Sequence, residues 1–257
     1  MGDELRQSCR SRGTRFSPAR LLSAMGGLIA GLLAFGFGEA VYQTIPAESK
    51  EIPTMGQVVV AATAATQDVA ESKNAALAFA GLGGALGLML GIMGGLSRRS
   101  ILLAATGGTA GLVLGAGIAG GATLVVVPIF FAARSAYPDA EFLLAMAMHG
   151  IVWGLGGAVA GLAFAIGIGR RDARSLVASA LAGLMGAVTG TVAFDLIGAV
   201  AFPLAETGEP LSTTAASRLA ARMLVGIAIG GALALGMPTP RTNESPIRSD
   251  VPASDPT

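Results

Sequence analysis

Long uncharged stretches alternate along the chain with short clusters of charge, proline and polar residues, and none of them shows the strict two-residue alternation of a half-buried strand. Six stretches come up to the roughly 20 apolar residues that carry a helix across about 30 Å of hydrocarbon. They are 21–42, 75–97, 101–131, 142–169, 176–202 and 219–237. A backbone facing lipid must satisfy its own N–H and C=O groups, so each stretch is predicted to be a helix, and the missing alternation excludes a barrel. The expected fold class is therefore all-α: a polytopic membrane protein with a basic tail over 1–20, a six-span domain over 21–237 and a proline-rich, disordered tail over 238–257.

The basic residues set an expected orientation. Twelve of the 17 lie in the N-terminal tail, the second-to-third and fourth-to-fifth connections and the C-terminal tail, while only Lys50, Lys73, Arg134, Arg218 and Arg222 lie on the other side. Both termini are thus expected in the cytoplasm, with the first span a retained anchor. Its apolar run is too long for a cleaved leader, and no small-x-small site follows it before Glu39. Arginine outnumbers lysine 15 to 2, which fits a GC-rich bacterial genome and, with it, an inner membrane.

The spans also repeat. Gly83-Gly84-Ala85, Gly156-Gly157-Ala158 and Gly230-Gly231-Ala232 recur at a period near 75 residues, as do Arg99-Ser100-Ile101-Leu102 and Arg174-Ser175-Leu176-Val177. This predicts three tandem helical hairpins, over about 21–99, 100–174 and 175–237, around a rough three-fold axis. Gly83, Gly87, Gly91 and Gly95 fall on one helix face, and Gly107, Gly111 and Gly115 on another. Such small-xxx-small faces let backbones approach closely in lipid, so they are expected to pack the helices or to mediate self-association or contact with other membrane proteins.

Composition narrows the function classes. The apolar set is 53% and charged residues only 13%, which confirms the membrane class and makes the lipid bilayer the first expected partner. A net charge of +1, without a basic stripe, gives no electrostatic basis for nucleic-acid binding. One histidine and one cysteine exclude bis-histidine haem, two-histidine zinc sites, a metalloprotease motif and CxxC chemistry. No serine near a span centre has the context of an intramembrane nucleophile. The chain is therefore expected to be no enzyme, with no cofactor and no metal.

Ionisable groups at membrane depth are costly and mark functional candidates. Asp195 lies deep in the fifth span, 8 residues before Pro203, and Glu39 stands in a matching place 7 residues before Pro46. His149 and Arg222 precede the Gly-Gly-Ala elements of the even spans by 7 and 8 residues. Asp195 is expected to pair with Arg222, one short connection away, with Arg218 nearer the interface and His149 capping a loop carbonyl. Trp153, Tyr42 and Tyr137 read as interfacial anchors. Residues 54–74 are expected to extend the second span as a helix, and Asp139 and Ser212-Thr213 to cap helix starts. Two readings follow: a structural or accessory bundle packed through small-xxx-small faces, or a small-solute or proton-coupled permease with Asp195 in its path.

Overall fold

The computed structural model describes residues 18–54 and 57–236; the basic tail to residue 17, Cys9 within it, and the tail expected from 238 lie outside the described residues. Six helices are each long and apolar enough to cross a membrane: α1 (Pro18–Ala40), α2 (Ala64–Ser97), α3 (Ile101–Ala136), α4 (Glu141–Ile168), α5 (Ala173–Ala201) and α6 (Ala215–Gly236). The chain is thus a multi-pass membrane protein by the length and character of its helices.

Local chemistry sets the helix boundaries. At one end of the bundle two tight turns join α2 to α3 and α4 to α5, and we call this the turn end. Ser100 Oγ accepts the Leu103 N–H to start α3, and Asp172 Oδ2 accepts the Ser175 N–H at 2.8 Å to start α5. Gly169 ends α4 with φ +84°, the left-handed conformation that a residue without Cβ adopts freely. Asp139 makes no such cap, because α4 begins after a single 3₁₀ turn over Pro138–Ala140 without side-chain capping. At the start of α6 it is Thr214, one residue beyond the expected Ser212-Thr213, whose hydroxyl accepts the Ser217 N–H. Pro128 does not close its span, since α3 runs through it to Ala136.

The opposite end carries, among the described residues, a two-stranded sheet. Strands β1 (Ser49–Thr54) and β2 (Gln57–Ala62) pair antiparallel, with Lys50 opposite Ala61 and Ile52 opposite Val59. The helix expected over 54–74 is therefore corrected: only its part from Ala64 onward is helical. The run Val58-Val59-Val60 is β-branched and stiff at χ1, which favours a strand, and a capping box between Thr63 and Thr66 starts α2 just after it. We call this the hairpin end.

The helices form a closed ring in chain order, each packed on the next and α6 on α1, with α2 and α4 also packed on each other through the centre. Outward faces are apolar, as with Val113, Val125 and Met185, which are all 60% exposed or more. That pattern suits lipid and not water. Inside, Phe79, Leu82, Leu86 and Leu90 of α2 meet Val152, Ala160 and Phe164 of α4, with Val225 and Ile229 of α6 alongside. Toward the turn end the seam closes backbone against backbone. A Cβ on Gly87 would stand 2.8 Å from Gly111 Cα, and one on Gly94 would stand 2.6 Å from the Phe164 carbonyl oxygen. Neither approach has room for a side chain.

Candidate polar site at the hairpin end

Each of the six helices places an ionisable group within about two turns of the hairpin end, and ring closure brings those of α1 and α6 together. Glu39 sits at the end of α1, and Arg218 and Arg222 lie one turn apart at the start of α6. Arg218 donates from Nε to Glu39 Oε1 at 2.7 Å and from Nη2 to Oε2 at 2.8 Å, while its Nη1 donates to the carbonyls of Ser212 and Thr213. The guanidinium also lies over the Tyr42 ring, 3.7 Å from its centre. The fork geometry of arginine suits this set, because four N–H bonds and a ring face are met at once.

Arg222 takes second place on the same carboxylate, with Nη1 3.7 Å from Glu39 Oε1. Its guanidinium lies flat against α1 at Gly38, where a Cβ would stand 2.7 Å from Nη1. This corrects the expected Asp195–Arg222 pair. Arg218 stands one turn nearer the hairpin end than Arg222 and is 6% exposed within the protein. Asp195 instead faces His149, Oδ1 to Nδ1 at 3.1 Å, with both side chains buried. His149 therefore caps no loop carbonyl. The contact uses one ring nitrogen, Nδ1, and one carboxylate oxygen, Oδ1, and leaves the second ring nitrogen, Nε2, outside the pair.

Around this pair stand aromatic rings. Trp153 lies 5.1 Å from His149, 5.9 Å from Phe194 and 6.0 Å from Phe79 between ring centres. Trp153 is 5% exposed, so it is an element of the core and not an interfacial anchor; Tyr42 is an arginine platform, and Tyr137 alone of the three is exposed. Closer to the hairpin, Arg134 of α3 forms an ion pair with Glu209 of the α5–α6 connection and approaches Glu141 at 3.6 Å. Asn74 clasps the backbone of Ile45 through both amide atoms at 2.9 Å, tying the α1–β1 connection to α2.

Two spaces follow from these contacts. An open vestibule of about 550 Å³ is bordered by Tyr42, Glu71, Asn74, Arg134, Glu206 and Glu209. Beneath it a cavity of about 20 Å³, the room of one water centre, is bordered by His149, Trp153, Phe194, Glu209, Leu211 and Arg222. Glu209 and Leu211 border both. Among the described residues, the buried side-chain polar atoms without a hydrogen-bond partner are Trp153 Nε1, Asp195 Oδ2, Glu209 Oε2 and Arg222 Nη1. Three of these four residues border the small cavity, and the fourth is held by His149, which does too.

The sequence pointed to Asp195, His149, Arg222 and Glu39, and the structure brings all four to one end of the bundle in two linked groups. It did not point to Arg134 and Glu209, or to Trp153 as a core ring. Arg134 and Glu209 lie in the polar flanks of spans, where charge is ordinary. The helix-face glycines Gly83, Gly87 and Gly91 of α2 face Gly115, Gly111 and Gly107 of α3, and Gly95 faces Ala104. Comparison with protein-family models, with curated proteins and with solved structures finds no match to this chain.

Proposed function

We propose that this chain is a structural or accessory bundle of a bacterial inner membrane, built from three hairpin repeats packed through small-xxx-small faces, with both termini cytoplasmic and no catalytic role. The observation that carries this reading is the closed seam between α2 and α4. Leu86, Leu90, Ala160 and Phe164 are at most 2% exposed there, and the glycine approaches of α2 to α3 and α4 leave no space toward the turn end. A conducting path needs a hydrated route past its ionisable groups, and a backbone-to-backbone seam offers none. Self-association belongs to the same reading: Gly117 and Gly121 stand one turn apart on α3 with open space where a Cβ would point.

The permease reading has one observation in its favour, the vestibule and cavity above Asp195. Cysteine accessibility separates the two. In a Cys9→Ser background, Leu90→Cys and Ala160→Cys are probed in native membranes with a membrane-impermeant thiol reagent applied from either side. A packed bundle leaves both unlabelled. Labelling from either side in a protein that still inserts replaces this reading with a permease whose path runs along the α2–α4 seam.

A further inference from the structure

The polar groups at the hairpin end are more than the packing of a bundle requires. An apolar core there would leave no buried donor or acceptor unmet, whereas this one holds four unmet atoms, three of them on residues that border a space fitting a single water and the fourth on the partner of His149, which borders it too. Their chemistry is mixed. Trp153 Nε1 and Arg222 Nη1 donate, and Asp195 Oδ2 and Glu209 Oε2 accept, so the occupant must do both at once. Water does so, and so does a hydrated proton. An anion would leave both carboxylate oxygens unmet, and a metal cation would oppose Arg222.

We propose that the His149–Asp195 pair is a proton-binding site reached by water from the hairpin end, through the vestibule and the cavity bordered by Glu209, Arg222 and Trp153. The incoming proton binds Nε2 of the imidazole while Nδ1–H stays on Asp195 Oδ1, so the pair passes from carboxylate and neutral ring to carboxylate and imidazolium. Glu209 stands where the two spaces meet, and its ion pair with Arg134 holds the connection over the cavity in place. The charged groups on the vestibule, the cavity and the ion pairs around them are Glu39 of α1, Asp68 and Glu71 of α2, Arg134 of α3, Glu141 of α4, Asp195 of α5, Glu206 and Glu209 of the α5–α6 connection, and Arg218 and Arg222 of α6. The seam beyond Leu86 gives the proton no onward route, so this is a site that binds and senses rather than one that conducts.

The chain supplies its own reporter. His149 is the only histidine and Trp153 the only tryptophan, with ring centres 5.1 Å apart, and an imidazolium beside an indole quenches its fluorescence. The full-length protein in phosphatidylcholine nanodiscs is titrated from about pH 9 to about pH 4. The expected result is a one-proton loss of Trp153 emission that His149→Gln removes, with the helical circular dichroism unchanged. A flat titration, or a transition that persists in His149→Gln, overturns the proposal. Should His149→Gln not fold, Asp195→Asn decides instead: the ring loses its hydrogen-bonded carboxylate and the midpoint moves, whereas an unmoved midpoint overturns the pairing. Stopped-flow pH jumps test the water route. Equilibration within milliseconds is expected, and a response only as slow as global unfolding would make the pair a dry lock and overturn it. None of these readouts depends on thiol labelling of the α2–α4 seam, so the bundle reading and this site stand or fall separately.

Discussion

Glu39 and Arg218 stand 179 positions apart and meet through two parallel hydrogen bonds, which makes the first span and the last one neighbours and closes the ring of helices. Ring closure places one carboxylate against two arginines, with Arg218 in direct contact and Arg222 at 3.7 Å. Removing one partner of such a pair leaves the other uncompensated in a poorly hydrated site, at about 3–5 kcal/mol for a fully buried pair. Glu39 is 29% exposed along its side chain, so Glu39→Ala is expected at the lower end, about 3 kcal/mol. Denaturation in mixed micelles measures it. Arg218→Lys is expected to destabilise as well although it keeps the charge, because a single ammonium cannot reach both carboxylate oxygens and the carbonyls of Ser212 and Thr213 together.

The Asn74 clasp has a different consequence. Both atoms of its amide bond the backbone of Ile45, so Asn74→Ala leaves a half-buried N–H and C=O without their partner in the α1–β1 connection. A loss of about 1–3 kcal/mol locally is expected. Limited proteolysis checks it: cleavage rises within 43–48 while the spans stay protected, and an unchanged pattern would show that the connection is held by other contacts.

Much of this architecture was legible before any coordinates. The spans follow from length and apolarity alone, and Asp195, His149, Glu39 and Arg222 stood out because ionisable groups are scarce there. Their pairing was not legible. Proximity in sequence favoured Asp195 with Arg222, one connection apart, but the packing of α6 on α1 and of α4 on α5 gave Arg222 to Glu39 and Asp195 to His149. Trp153 illustrates the same limit. An indole in an apolar span reads as an interfacial anchor, yet here the neighbouring Phe79 and Phe194 come from other helices and bury it. The hairpin had a local signal, three successive valines after Gly56, which the general richness in alanine and valine concealed.

At the turn end, Asp172 caps α5 as a carboxylate. The hydrogen bonds it accepts from Ser175, side chain and backbone, hold its carboxyl below the usual carboxylate range, although it is fully exposed. A group whose folded value is depressed adds stability above its unfolded value and loses it as pH falls through the folded one. Amide exchange at Ser175 and Leu176 is therefore expected to stay slow at neutral pH and to speed up only in acid below the ordinary aspartate range. Asp172→Asn is expected to keep slow exchange without that acid dependence, since asparagine caps as well. Equal acid sensitivity in both proteins would assign the effect to another group.

The glycines offer a contrast within one protein. Gly87 and Gly117 are both helical and both apolar in surroundings, but only the first has a neighbour where a Cβ would go. The Gly87 Cβ would stand 2.8 Å from Gly111 Cα, whereas at Gly117 nothing lies within 4 Å. Neither helix can yield locally, because the same face continues at Gly83 and Gly91, so Gly87→Ala must push α2 from α3 along several turns. Overpacking of this kind costs about 1–3 kcal/mol, while Gly117→Ala is expected within about 1 kcal/mol of the parent, with any change toward greater helix stability. Thermal unfolding of the two variants in the same detergent measures the difference. Equal melting temperatures would mean that the α2–α3 contact is looser than these distances require, and with it would go the main support for a seam sealed by glycine.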